Sequence, residues 1–334
     1  MAGNKQHHVW QMLQRGFGEQ RGKDHHVWVY RKTEPAKQTV TRLFGVETHF
    51  YGPEGSQADT NITKYENDSQ STIQEIRKLP NGAEVDPVFV ATLIAHLEIR
   101  SAFLRGKTSS TMQKAIGGLV QRFRSPEKLR AVMIAHFKDN PDELDKLLGK
   151  GFVAPSQRIC FAQFAQKIIE MMPDDELSKL MEQGFGQIVE IVDQFPDLTK
   201  AAQNNALVLD VANQSRAKSH LERDYFIFRP ASGSLILPDT TLAFVKKEGA
   251  SPISQKHDDI KAVILPIASD VAIIGRADGK ADYSLKTINR LLAGCSFEAF
   301  LTKEQSSHFQ GLRGRIGKHA TLISDLDLQG LIEE

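Results

Sequence analysis

Residues 262–274 read AVILPIASDVAII, two apolar runs parted by Ser269 and Asp270. A run of roughly four to eight apolar residues bounded by turn formers is the pattern of a buried strand. Upstream, YFIF (225–228), SLIL (234–237) and LAFV (242–245) repeat the texture between Pro-, Gly- and Asp-rich turns. These runs predict a mostly antiparallel C-terminal sheet, followed by a helix over Ser284 to Cys295 and a last strand over Phe297 to Leu301.

Before Tyr225 the period is helical. A stripe of Ile62, Ser69, Ile73 and Ile76 predicts a helix over Asp59 to Leu79, with Glu66 in the middle of its apolar seam. Pro87 to Leu104 reads as the next helix, with Phe89, Leu93, His96, Arg100 and Phe103 on its inward face. Further stripes run through Met112, Ile116, Leu119 and Phe123; through Leu129, Val132, Met133 and His136; and through Cys160, Phe164, Ile168 and Met171. A longer helix follows from Leu177 to Phe195, with Gly184 and Gly186 as places for a kink, and another from Leu198 to about Leu221.

At the N-terminus, QHHVWQMLQRGF (6–17) spaces Val9, Leu13 and Phe17 by four, which predicts a short helix starting near Val9. His7 would then stand by unpartnered N–H groups able to receive an anion, or would simply cap the turn. His25 to Tyr30 and Thr39 to Phe44 read as a β-hairpin. The fold class that results is α+β: a central helical bundle packed with a C-terminal mostly antiparallel sheet and an N-terminal β-hairpin. One domain is expected, with the opening motif and hairpin over 1–55, the bundle over 56–222, the β-rich part over 223–302 and a helix and tail over 303–334.

The 334 residues are 40% hydrophobic and 25% charged, the balance of a chain that buries a substantial core. Lys plus Arg (42) nearly cancel Asp plus Glu (41), so no global field draws the chain to nucleic acid or an anionic membrane. The apolar window from Ile159 to Met172 is broken by Gln163, Gln166 and Lys167, so no membrane partner is expected. MAGNKQHH lacks an apolar leader core, which predicts a cytoplasmic location. Cys160 and Cys295, each among apolar neighbours, read as buried thiols.

The opening resembles that of a bacterial family catalogued as domain of unknown function 4238, whose members begin His-Tyr-Val-Pro-x-Phe-x-Leu-x-x-Phe. His7, Val9 and Phe17 match; His8 replaces the Tyr, Trp10 the Pro and Met12 the first Phe, while Leu13 and Gln14 share the Leu position. VETHFYG is similar to the family's Val-x-x-Glu-x-x-Phe-Tyr through Val46, Glu47, Phe50 and Tyr51. Glu66 and Arg100 match a Glu and an Arg of the family's first two helices, although Ser101 and Ala102 replace its Thr and Pro. Asp239 aligns with the Asp of Phe-Ile-Thr-Ser-Asp-x-Pro-Val, Pro266 and Ile267 with Pro-Leu-Ser-Pro, and Asn289 with a common Asn. The resemblance spans about 290 residues in scattered short motifs and carries no activity.

A carboxylate in an apolar seam needs a partner, and the adjoining helix offers Arg100 or His96 to Glu66. Glu66 with Asp239 could hold a divalent metal, His7 could serve as a further catalytic group, and Arg100 could stabilise phosphoryl charge. His96 and Asn289 are the candidate substrate-binding residues, with Glu47 an outer candidate. Metal-assisted hydrolysis of phosphodiester bonds in nucleic acid or a nucleotide is one expectation. The other is a non-enzymatic binding or regulatory module in which the Glu66–Arg100 pair fixes helix register. No HExxH, P-loop, GxSxG, EF-hand or dinucleotide motif is present. Arg130 and His136 are loosely similar to the Arg-x-x-x-x-His signature of HEPN ribonucleases, one residue longer; with 11 His and many Arg such a pair arises easily by chance, and chance is the preferred explanation. The basic segment Leu312 to His319 reads as a phosphate contact or a solvated face.

Overall fold

A computed structural model of the chain describes residues 5–122, 125–141, 154–208, 211–255, 259–277 and 283–322. It divides into two compact units, Met1–Thr108 with Pro196–Leu322, and a second built on Ser109–Phe195.

The first unit opens with β1 (Lys5–His7), α1 (Gln11–Arg15), β2 (Glu19–Arg21), β3 (Asp24–Arg31), β4 (Lys37–Val40) and β5 (Val46–Thr48). β3 and β4 make the hairpin that the alternation indicates, with Val27 opposite Thr39. Its second strand ends at Val40, because Thr41–Leu43 turns into a 3-10 helix. His7 lies on a strand and not at a helix head: β1 pairs antiparallel with β5, His7 opposite Val46. Gly45, at φ 61°, makes the turn before β5, and its carbonyl accepts the His8 N–H at 2.9 Å.

α2 (Gln57–Ile76) starts where the Ser56 side chain accepts the Asp59 N–H. After β6 (Glu84–Val85), α3 (Pro87–Ile99) begins with Pro in its first turn and Asp86 accepting the Val88 and Phe89 N–H groups. The helix expected to reach Leu104 breaks at Arg100, which has φ −84° and ψ 1°, and α4 (Ala102–Arg122) restarts beyond it.

The second unit holds α5 (Pro126–Asp139), α6 (Arg158–Met171) and α7 (Asp174–Asp193), the last assigned as one helix through Gly184 and Gly186. Arg130 ties α5 to the end of α6, donating to the Ile169 carbonyl at 2.6 Å and the Met172 carbonyl at 2.8 Å.

Back in the first unit come α8 (Phe195–Val208), α9 (Val211–Lys218), β7 (Asp224–Phe228), β8 (Leu237–Pro238), β9 (Ala243–Lys246), β10 (Ala250–Ser251), β11 (Ile260–Ala268), β12 (Val271–Arg276), α10 (Leu285–Cys295), β13 (Ala299–Thr302) and α11 (Ser307–Leu312). The chain is α+β, with antiparallel sheets. One has the order β10-β9-β11-β12-β7-β6; another runs β2-β3-β13-β8 with β4 on β3. The hairpin near the N-terminus and the strand at Ala299–Thr302 therefore share a sheet, Tyr30 opposite Phe300. The apolar runs of β7, β9, β11, β12 and β13 meet Val9, Leu13 and Phe17 in one core. Cys295 is buried as expected, but Cys160 is exposed, because α6 turns Ala162 and Ile169 inward instead. Among the described residues no single helix is long and apolar enough to cross a membrane.

Candidate functional site

Arg100 lies at the end of α3 because that helix breaks there, and its fully buried guanidinium reaches three separate elements. Its Nε donates to the Tyr51 hydroxyl at 3.0 Å, and Nη2 donates to the His7 carbonyl at 2.8 Å. Nη2 also lies 2.6 Å from Glu66 Oε1 on α2. Tyr51 closes the ring by donating to the same His7 carbonyl at 3.0 Å. Gln6 secures the strand alongside, accepting the Tyr51 N–H at 2.6 Å and donating to the Gly52 carbonyl at 3.1 Å.

The electrostatics follow from this burial. Burial opposes the Arg100 charge, but Tyr51 and Glu66 outweigh it and hold the guanidinium above its ordinary value. Burial pushes the Tyr51 hydroxyl up to about 12. It also lowers His7, helped by Arg100 and opposed by the Thr41 carbonyl, and lowers His8 to about 4. His96 stacks on Tyr65, ring centroids 3.6 Å apart and 13° from parallel. Burial and the Arg100 charge bring it down to about 3. These three imidazoles are neutral at pH 7.

Glu66 and Arg100 form part of the wall of a cavity of about 370 Å³ that His7 also lines. Asp59, Thr63, Glu66, Asn67 and Gln70 of α2 face it, a three- and four-residue spacing that turns one polar helix face to the space. Lys5 of β1 and Arg15 of α1 line it as well. Both acidic groups of the wall are already engaged: Glu66 by Arg100, and Asp59 by the Gly55 N–H at 3.1 Å. Lys5 and Arg15 have no carboxylate partner among the described residues, Arg15 donating to Gln11 Oε1 at 3.0 Å. His7 Nε2 is buried with no hydrogen-bond partner.

Of the residues singled out in the sequence, His7, Glu66 and Arg100 come together, and His96 lies beside Arg100 without lining the cavity. Asp239 does not join them. Its carboxylate accepts the Phe297, Glu298 and Ala299 N–H groups at 2.7, 2.7 and 2.9 Å, fixing the turn into β13. Burial pushes that carboxyl up to about 6 against those three donors. Asn289 is likewise structural, accepting the Ile236 N–H at 3.2 Å and donating to the Ser234 carbonyl at 2.9 Å. Glu47 is exposed on β5, 3.5 Å from His8 Nδ1. Arg130 is engaged by the end of α6, and Arg313 of the basic segment clamps the hairpin through the Arg31 carbonyl at 2.7 Å. Lys5, Arg15 and Gln70 went unread, since exposed polar residues carry no sequence signal of convergence.

Among the described residues no three His, Cys, Asp or Glu side chains converge as a metal would require. With Asp239 bonded to the backbone of the turn into β13, this donor set does not fit a protein-held divalent ion. No family model, no curated protein and no solved structure matches the chain.

Proposed function

We propose that the cavity between β1, α1 and α2 binds a small phosphate- or carboxylate-bearing molecule, nucleotides included, and that the protein is a binding module for it. The observation that carries this reading is the charge arrangement of the wall. Its two carboxylates are engaged within the protein, whereas Lys5 and Arg15 are left to answer an incoming anion. Thr63, Asn67 and Gln70 supply neutral polar groups for the rest of such a molecule. Arg100 acts here as the brace of the wall, since its Nε and Nη2 are engaged by Tyr51, His7 and Glu66. The convergence of His7, Glu66 and Arg100 from separate motifs supports the proposed kinship with the domain of unknown function 4238 family.

The test is calorimetric titration with inorganic phosphate, nucleoside monophosphates and small dicarboxylates. Binding by the wild type that Lys5→Ala with Arg15→Ala weakens by roughly tenfold or more supports the reading. No heat with any of them, from folded protein, removes it.

A second reading, hydrolysis of phosphodiester bonds with Glu66 as general base, rests on that carboxylate being 26% exposed on the cavity wall while Arg100 orients it. Turnover of a nucleotide diester by the wild type and not by Glu66→Gln would favour it.

A further inference from the structure

The cavity wall asks for more than an anion. Lys5 and Arg15 only donate hydrogen bonds, and a phosphate or carboxylate answers them by accepting. The α2 face has the reverse need. Arg100 meets Glu66 at Oε1, and among the described residues no hydrogen bond is donated to Oε2. Thr63, Asn67 and Gln70, on successive turns of the same face, make no side-chain hydrogen bond among those residues either. A carboxylate oxygen accepts only, whereas the amides and the hydroxyl both donate and accept. An anion with no proton to give would take water from the Glu66 oxygen and leave it unanswered, a costly state for a charged group.

We propose that the cavity takes a polyhydroxylated anion, a sugar phosphate or a sugar acid, with its charged group at Lys5 and Arg15 and its hydroxyls along α2; this rests on the anion-binding role of the cavity and narrows it. A hydroxyl suits the α2 face because it donates to Glu66 Oε2 while accepting from the Asn67 or Gln70 amide. An ammonium group suits it less, since Arg100 already balances the Glu66 charge and the nearly buried Asp59 is turned to the Gly55 N–H. A nucleobase suits it least. The wall is mostly polar, and its large apolar side chains, Trp10, Met12 and Ile62, are all buried, so no flat apolar face is offered for stacking. The volume of about 370 Å³ lies at the small end of the roughly 300–1,000 Å³ of small-molecule sites, the size for a single sugar unit.

Calorimetric titration of the full chain with matched probes tests this: glucose 6-phosphate against ethyl phosphate, and glucuronate against propionate. Each pair shares its charged group and differs in hydroxyls, and the pair that responds tells phosphate from carboxylate. The expected result is a hydroxylated probe that binds roughly tenfold or more tighter than its bare counterpart, the margin of one or two hydrogen bonds. Asn67→Ala with Gln70→Ala, both solvent-facing and so harmless to the fold, removes that margin and leaves the bare anion's affinity as it was. Lys5→Ala with Arg15→Ala weakens both members of the pair. Equal affinities within both pairs overturn the inference and leave the anion site standing, as does a margin that survives the α2 double substitution. Phosphoethanolamine binding more tightly than glucose 6-phosphate overturns it in favour of an amine. No binding of any probe by folded protein removes the anion site and the inference with it.

Discussion

Replacing Arg100 with methionine removes the guanidinium that joins β1, α2 and Tyr51, leaves Glu66 without its donor, and leaves the His7 carbonyl with the Tyr51 hydroxyl alone. The expected loss is about 3–5 kcal/mol of unfolding free energy, the range for breaking a buried pair from one side. Glu66→Gln, which keeps an acceptor for Arg100 at a partly exposed position, loses roughly 1–2 kcal/mol. Urea unfolding of both variants checks the order, and equal losses would remove Arg100 as the brace. His96 adds a pH dependence with a definite sign. Its folded value of about 3 lies below the ordinary 6.5, so between those limits the unfolded chain binds the proton and the folded chain does not. Its contribution is fully present above pH 6.5 and falls with acidification, by at most about 1.4 kcal/mol per pH unit. His96→Phe, which preserves the stack on Tyr65, flattens the decline between pH 6.5 and pH 4; an unchanged slope would assign the dependence to His7 and His8 instead. The Glu66–Arg100 pair was readable because two charged residues stood in apolar stripes of neighbouring helices. The role of His7 was not, since it reaches Arg100 through a backbone carbonyl, and a carbonyl has no residue-type signature.

At the scale of elements, turns decide where side chains arrive. Gly45 holds φ 61°, and a Cβ there would sit 2.7 Å from the Val9 Cβ. Gly45→Ala therefore meets both backbone strain and a clash with the buried start of α1. It should cost about 2–3 kcal/mol in urea unfolding, and a loss under about half a kcal/mol would show that the β1 connection yields. Helices were the best-read elements, because a sustained 3.6-residue period is a strong signal. The break at Arg100 was missed, since the apolar stripe continues through it and no Gly or Pro marks it. The stripe of α6 was found, yet its period could not say which face turns inward; Ala162 and Ile169 are buried, and the larger residues are left outside.

Across the whole first unit, the apolar runs after Tyr225 announced strands, but not which sheet each would join. β13 pairs with β3 of the N-terminal hairpin and β8 pairs with β13, outside the larger sheet, a choice set by contacts between distant parts of the sequence. Phe300 is the measure of that closure: it is fully buried, opposite Tyr30 in the ladder and stacked on it with ring centroids 5.1 Å apart. Tyr30 in turn accepts the Ser306 N–H at 3.1 Å, carrying the same contact on to the start of α11. Phe300→Ala removes a large core side chain and should cost about 3–5 kcal/mol. Because the ladder joins the two ends of the sequence, the loss belongs to both at once. Hydrogen exchange under native conditions should show the amides of β3 and β13 losing protection together, with β11 and β12 less affected. Faster exchange in β13 alone, with β3 unchanged, would mean that the hairpin stands on β2 and β4 and that the ends are not one cooperative sheet.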